Sequence, residues 1–112
     1  MTEMTKTECI VLLGDLLVQI DTQRGSLAPG TPRRIKLDEY RNLLDAKQLE
    51  LADLMFDEST TAYKTATDEL KKINGQISST IKDINKVAET FAALTSLVTA
   101  IDGLFLLATG IG

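Results

Sequence analysis

Histidine and tryptophan are absent from this 112-residue chain, cysteine occurs once, proline twice, and aromatic side chains make up only 4%. Each shortage excludes something. Without histidine there is no imidazole for general acid–base work, and the usual ligand sets of zinc and haem sites are missing. The single cysteine, Cys9, has no intramolecular disulfide partner. With no histidine to take its proton, it reads as a buried structural thiol and not as a nucleophile. Two prolines and seven glycines leave stretches too long for an all-β chain, which needs a turn about every ten residues. The core has to come from Leu, Ile, Val and Ala, within a hydrophobic content of 44%. At 12.2 kDa, residues 1–112 are expected to form a single helical domain.

Charge is present in both signs but unevenly. The net −4 divides into −3 over residues 1–21, +4 over 22–36, −5 over 37–58, +1 over 59–91, and Asp102 alone over 92–112. An acidic chain with pI about 4.7 is not expected to bind nucleic acid. The basic stretch holds Arg24, Arg33, Arg34 and Lys36. These residues either answer the acids around Asp38-Glu39 or, through Arg33, Arg34 and Lys36, contact an anionic surface such as lipid headgroups.

Periodicity predicts helices throughout. Ile10, Leu13, Leu17 and Ile20 mark one face of a helix over about 4–21, widened by Leu12 and Leu16. Early glutamates and the Gly14-Asp15 interruption argue against a cleaved signal peptide. The expected location is therefore cytoplasmic, or exported without such cleavage, with membrane association as the alternative. Gly25, Pro29 and Gly30 make 22–31 a basic loop, and Thr31-Pro32 reads as an N-cap followed by proline at the first helical position.

No breaker then appears until Gly75, which predicts a long helix over about 32–73, about 60 Å in length. Its seam is Leu49, Ala52, Phe56, Ser59, Tyr63, Ala66, Leu70 and Ile73, a heptad pattern with one polar interruption. A second stripe, Leu37, Tyr40, Leu44, Leu51 and Met55, is confined to the first half. Asn74-Gly75 marks a turn at 74–76. A long apolar helix over about 77–110 follows, with its seam at Ile77, Thr80, Ile84, Val87, Phe91, Leu94, Val98, Ile101, Phe105 and Ala108.

Together these predict an all-α fold: a long antiparallel helical hairpin, forming a coiled-coil stalk over 57–91, with the short N-terminal helix packed on its base as a three-helix bundle. Phe56, Tyr63, Phe91, Phe105 and Leu104 are expected to dominate packing. The stretch 92–112, about 31 Å as a helix, contains Leu97, Asp102, Leu106 and Leu107. It reads as core and oligomer interface, or alternatively as a membrane segment. A carboxylate at mid-span opposes the membrane reading by about 2.5–3.5 kcal/mol. Folding at Gly75 puts position 102 opposite about 49, which makes Lys47 the expected partner of Asp102.

Nothing in the pattern supports catalysis. Asp38-Glu39, Asp57-Glu58 and Asp68-Glu69 are neighbours on helices, and adjacent side chains point about 100° apart, whereas a two-carboxylate mechanism needs groups converging across a cleft. There is no glycine-rich phosphate loop, and no metal or cofactor is expected. The W-x-G turn found in one group of secreted helical hairpins is absent. The expected function is a non-enzymatic assembly or adaptor protein whose coiled-coil surfaces bind further copies of itself or a helical partner. One alternative is a membrane-associated subunit of a pore, toxin or secretion machine. A second is an acidic immunity- or antitoxin-type inhibitor acting through 37–58.

Overall fold

The computed structural model describes residues 4–111, so Gly112 of the expected C-terminal stretch lies outside the described residues. Among these, four α-helices and one two-stranded sheet form: α1 (Lys6–Arg24), α2 (Pro32–Asp53), β1 (Leu54–Phe56), α3 (Thr61–Thr80), α4 (Val87–Phe105) and β2 (Ala108–Ile111). A short 3-10 turn, Ile84–Lys86, precedes α4. The chain is predominantly helical, in keeping with its all-α reading.

The helix starts follow local chemistry. Thr5 and Glu8 form a capping box that satisfies backbone N–H groups in both directions. The hydrogen bond from the Thr5 backbone holds the Glu8 carboxyl below its ordinary range. Thr31 caps α2, with Pro32 inside its first turn. At the far end of α2, the Lys6 ammonium donates to the carbonyls of Ala52 and Leu54, at 3.1 and 2.9 Å, groups that a helix terminus leaves without intrahelical partners.

The expected helix over 32–73 is instead broken at Asp53. The Asp57 carboxylate accepts from both the backbone N–H and the hydroxyl of Ser59, and the Thr60 hydroxyl accepts from Tyr63 N–H to start α3. Such local bonds compete with helix propagation. Leu54–Phe56 goes into extended pairing instead, with Leu54 opposite Ile111, Met55 opposite Gly110 and Phe56 opposite Ala108. That pairing also ends the last helix at Phe105, short of the expected 110.

The expected turn at 74–76 lies within α3. Gly75 stays helical, and the left-handed conformation is taken only by Gly30 among the described residues. Ile73 and Ile77, on either side, are buried. Burying two such side chains stabilises by about 1.5–3 kcal/mol each, which outweighs a mid-helix glycine's penalty of about 1 kcal/mol. The chain reverses later, where the Asp83 carboxylate accepts from Asn85 N–H at 2.9 Å.

Each helix is thus roughly half the length expected for a stalk, and residues 57–91 fold into the bundle. α1 packs on α2 and α3 on α4 as antiparallel hairpins, and the hairpins meet α2 to α4 and α1 to α3. The meeting of α2 and α4 is parallel. Lys36 and Tyr40 contact Phe91, while Lys47 contacts Asp102 and Phe105. α1 is therefore a full member of the bundle and not a cover for its base. The core runs along all four helices, through Leu13, Leu16, Ile20, Leu37, Leu44, Leu51, Tyr63, Leu70, Leu94, Leu97 and Ile101. Leu49, Ala52 and Ser59 of the expected seam are exposed, because the break at 54–60 resets the helical phase.

Candidate functional site

A strip along the outer side of the α3–α4 hairpin is made mostly of small side chains. On α3, burial of Tyr63, Thr67, Leu70, Ile73 and Ile77 turns Thr61, Ala62, Thr65, Ala66 and Glu69 outward. On α4, burial of Val87, Phe91, Leu94, Leu97, Ile101 and Leu104 leaves Ala92, Ser96, Thr99 and Gly103 exposed. Two open depressions run along this face. One, of about 500 Å³, is lined by Thr61, Ala62, Thr65, Ala66, Glu69, Ala100, Gly103 and Leu107. The other, of about 460 Å³, is lined by Gln76, Ser79, Thr80, Glu89, Ala92, Ala93 and Ser96.

This face is drier than its composition suggests. The hydroxyls of Ser96 and Thr99 donate to the carbonyls of Ala92 and Thr95 on their own helix, both at 3.2 Å. Their donors are thereby used up one turn back. Thr90, buried, donates to the Thr80 hydroxyl at 3.0 Å and ties the two helices together. Glu69 and Glu89 are the charges in the two depressions.

Gly103 marks the face most clearly. A Cβ built there meets nothing within 4 Å, whereas one at Gly14 meets the Gln48 amide at 3.1 Å. The close approach of α2 therefore accounts for a glycine at 14. Gly103 weakens α4 by about 0.5–1 kcal/mol relative to alanine with no packing return inside the fold. It was overlooked in the periodicity, although a glycine inside a strong helical pattern is itself a signal of close approach.

The residues singled out from the sequence are dispersed. Tyr63 is buried and faces Cys9, whose thiol is pushed up to about 11 by burial. Burial also raises the Tyr63 hydroxyl, which has no hydrogen-bond partner of ordinary geometry; the thiol beside it is a weak acceptor. Phe56 lies 5.7 Å from Tyr63 between ring centres, and Phe91 stacks on Tyr40 at 5.9 Å. Leu97 and Leu104 are core, Leu107 lines the first depression, and Leu106 is 87% exposed. Phe105 is half-buried beneath the Lys47 ammonium, 5.7 Å above its ring.

Asp102 accepts from Lys47 at 2.5 Å. Arg34 donates to Asp38 and to the carbonyls of Arg24 and Leu27, and Arg24 bridges Asp21 and Asp38. Burial pushes the Asp21 and Asp38 carboxyls up, but the guanidinium hydrogen bonds prevail and hold both below the ordinary range. Arg33 is exposed, and the Lys36 ammonium sits 5.0 Å above the Phe91 ring. Among the described residues no group of three or more Cys, Asp or Glu side chains is placed to hold a metal ion. In comparisons with known proteins, the chain matches no family model, no curated protein and no solved structure.

Proposed function

We propose that this protein is a non-enzymatic helical assembly protein that self-associates through the outer face of α3 and α4. The observation that carries this reading is the mismatch in α4. It belongs to the most apolar stretch of the chain, yet only 33% of its most apolar window is buried. Small side chains let a second helix approach closely, so its ridges can enter the depressions between α3 and α4. Gly103, which the fold itself does not require, lines the first of these depressions.

Light scattering after size-exclusion chromatography tests it. The wild type is expected to elute as a dimer or larger species. Gly103→Arg, which has room for its Cβ in the single chain, is expected to be monomeric with unchanged helix content. A wild type that stays a stable 12.2 kDa monomer at high concentration overturns the proposal.

A second reading has its own support. The stretch Ile84–Phe105, 22 residues with mean hydropathy 1.3, is long and apolar enough to cross a membrane by length and composition. Insertion would have to break the Lys47–Asp102 pair and carry a carboxylate into hydrocarbon, where such groups are expensive. Extraction of the expressed protein distinguishes the two readings. Recovery in the soluble fraction without detergent favours assembly, and recovery only with detergent favours insertion.

A further inference from the structure

The end of the bundle that carries the α1–α2 and α3–α4 connections brings together two basic segments that lie about fifty residues apart in the chain. Ser26 of one connection and Lys82 of the other line the same cavity, and Lys36 reaches across to Phe91. Arg33, Lys36, Lys82 and Lys86 are all exposed here. The side chains of Arg33, Lys82 and Lys86 make no ion pair or hydrogen bond among the described residues, while that of Lys36 makes only its contact over Phe91. Arg24 and Arg34 are spent on Asp21 and Asp38. Asp83 is the one acid between the two lysines of the second connection, Glu89 lies in the first turn of α4, and Glu39 sits lower on α2. Four cations against Asp83 and Glu89 leave this cap at +2, so with −4 overall the remainder of the molecule carries −6.

Two of these cations occupy positions that helix physics disfavours. Arg33 lies in the first turn of α2, which holds no acid, although the helix dipole there favours anions. Lys86 occupies the N-cap of α4 and provides no side-chain cap, where Ser, Thr, Asp or Asn would accept from a backbone N–H. A local rule broken without a compensating contact points to a role outside the fold. Between the cations, Ile35 is 48% exposed and Ile84, at the tip of the second connection, is 38% exposed. Side chains at a helix start lean toward its N-terminus, which directs those of α2 outward from this end.

We infer that this basic, isoleucine-bearing end docks on the surface of an anionic phospholipid bilayer. The cations meet headgroup phosphates and carboxylates, the two isoleucines enter the interfacial layer, and the acidic remainder of the molecule points away. A nucleic acid satisfies the charge but leaves the isoleucines in water. Docking by the end leaves the outer face of α3 and α4 free, so the inference stands apart from self-association.

Vesicle flotation of the full chain tests it. The protein is expected to float with phosphatidylcholine vesicles containing 30% phosphatidylserine at 50 mM salt, to stay behind with pure phosphatidylcholine, and to be released at 500 mM salt, where screening is strong. Each basic residue near an anionic leaflet is worth about fivefold in partitioning. The double variant Lys82→Gln, Lys86→Gln should therefore lose roughly 30-fold. Lys71→Gln with Lys72→Gln, an equal charge change on the side of α3, should bind like wild type. Absence of flotation on anionic vesicles, equal flotation on neutral ones, or indifference to the Lys82 and Lys86 changes overturns the inference. Binding that survives 500 mM salt, or retention on double-stranded DNA without vesicle binding, overturns it as well.

Discussion

The two hairpins of this bundle solve the same packing problem with different surfaces. The α1–α2 hairpin is laced by Arg24, Arg34 and Arg41 to Asp21, Asp38 and Asp45, so its outside carries a network of ion pairs beside the exposed Val11, Val18, Leu43 and Leu49. The α3–α4 hairpin is joined by apolar seams and the Thr80–Thr90 hydroxyl contact, and the strip of its outside along the two depressions is made of small side chains with Glu69 and Glu89 as its charges. Both bury an inner face rich in leucine and isoleucine. What differs is the side turned away, which in the α3–α4 hairpin is the side the proposed self-association would cover. Monomer stability and self-association are therefore expected to depend on opposite faces of α4.

The largest expected effect tests the shared core. Leu97→Ala, at a fully buried position of α4, should lower the free energy of unfolding by about 2–5 kcal/mol. Leu106→Ala, at an exposed position on the same helix end, should leave it nearly unchanged. Urea denaturation of the two variants measures the difference, and equal losses would mean that α4 is not packed as described.

A smaller effect, of opposite sign, sharpens the contrast. Gly103→Ala should stabilise the isolated monomer by about 0.5–1 kcal/mol through helix propensity while weakening self-association. Denaturation at low protein concentration and light scattering at high concentration read the two effects separately. If both properties improve, the groove is not used for close approach.

The smallest effect concerns the charged hairpin. Asp38→Asn removes the charge that Arg24 and Arg34 share and leaves a neutral amide oxygen as acceptor, but both partners and the carboxylate are partly exposed, so the loss should be slight and should shrink further in salt. The pH dependence follows the same groups. The folded-state pKa values of Glu8, Asp21, Asp38 and Asp57 are lowered. Their contribution is therefore complete above the unfolded carboxylate range near pH 4 and is lost as pH falls through the lower folded values. A melting temperature that is flat from pH 7 to 5 and falls below about 4 is expected for the wild type, with a shallower fall for Asp38→Asn.

The Lys47–Asp102 contact shows how a correct pair can come from an incorrect topology. In a hairpin folded at Gly75, contacting positions would sum to about 150. In the parallel meeting of α2 and α4 they differ by about 55, as Lys36 with Phe91 and Lys47 with Asp102 do. The two registers coincide near 47 and 102 and nowhere else. Away from that crossing the two registers separate: a hairpin folded at Gly75 sets Phe56 opposite about position 94, whereas Phe56 pairs with Ala108 in the sheet.

Helical character, much of the buried phase of α1, α3 and α4 and the Thr31-Pro32 start of α2 were readable along the chain, because periodicity and capping depend on neighbours within one or two turns. Asp57, Ser59 and Thr60 also form a local stop, which the continuous heptad across 49–73 conceals. Whether Leu54–Phe56 becomes strand, however, depends on Ala108–Ile111 reaching it, and whether Gly75 turns depends on burial of Ile73 and Ile77. Which helices meet, and in which direction, rests on contacts between residues about fifty apart. No local pattern encodes those contacts, so only the tertiary structure could bring Arg33 and Lys36 to the same end as Lys82 and Lys86.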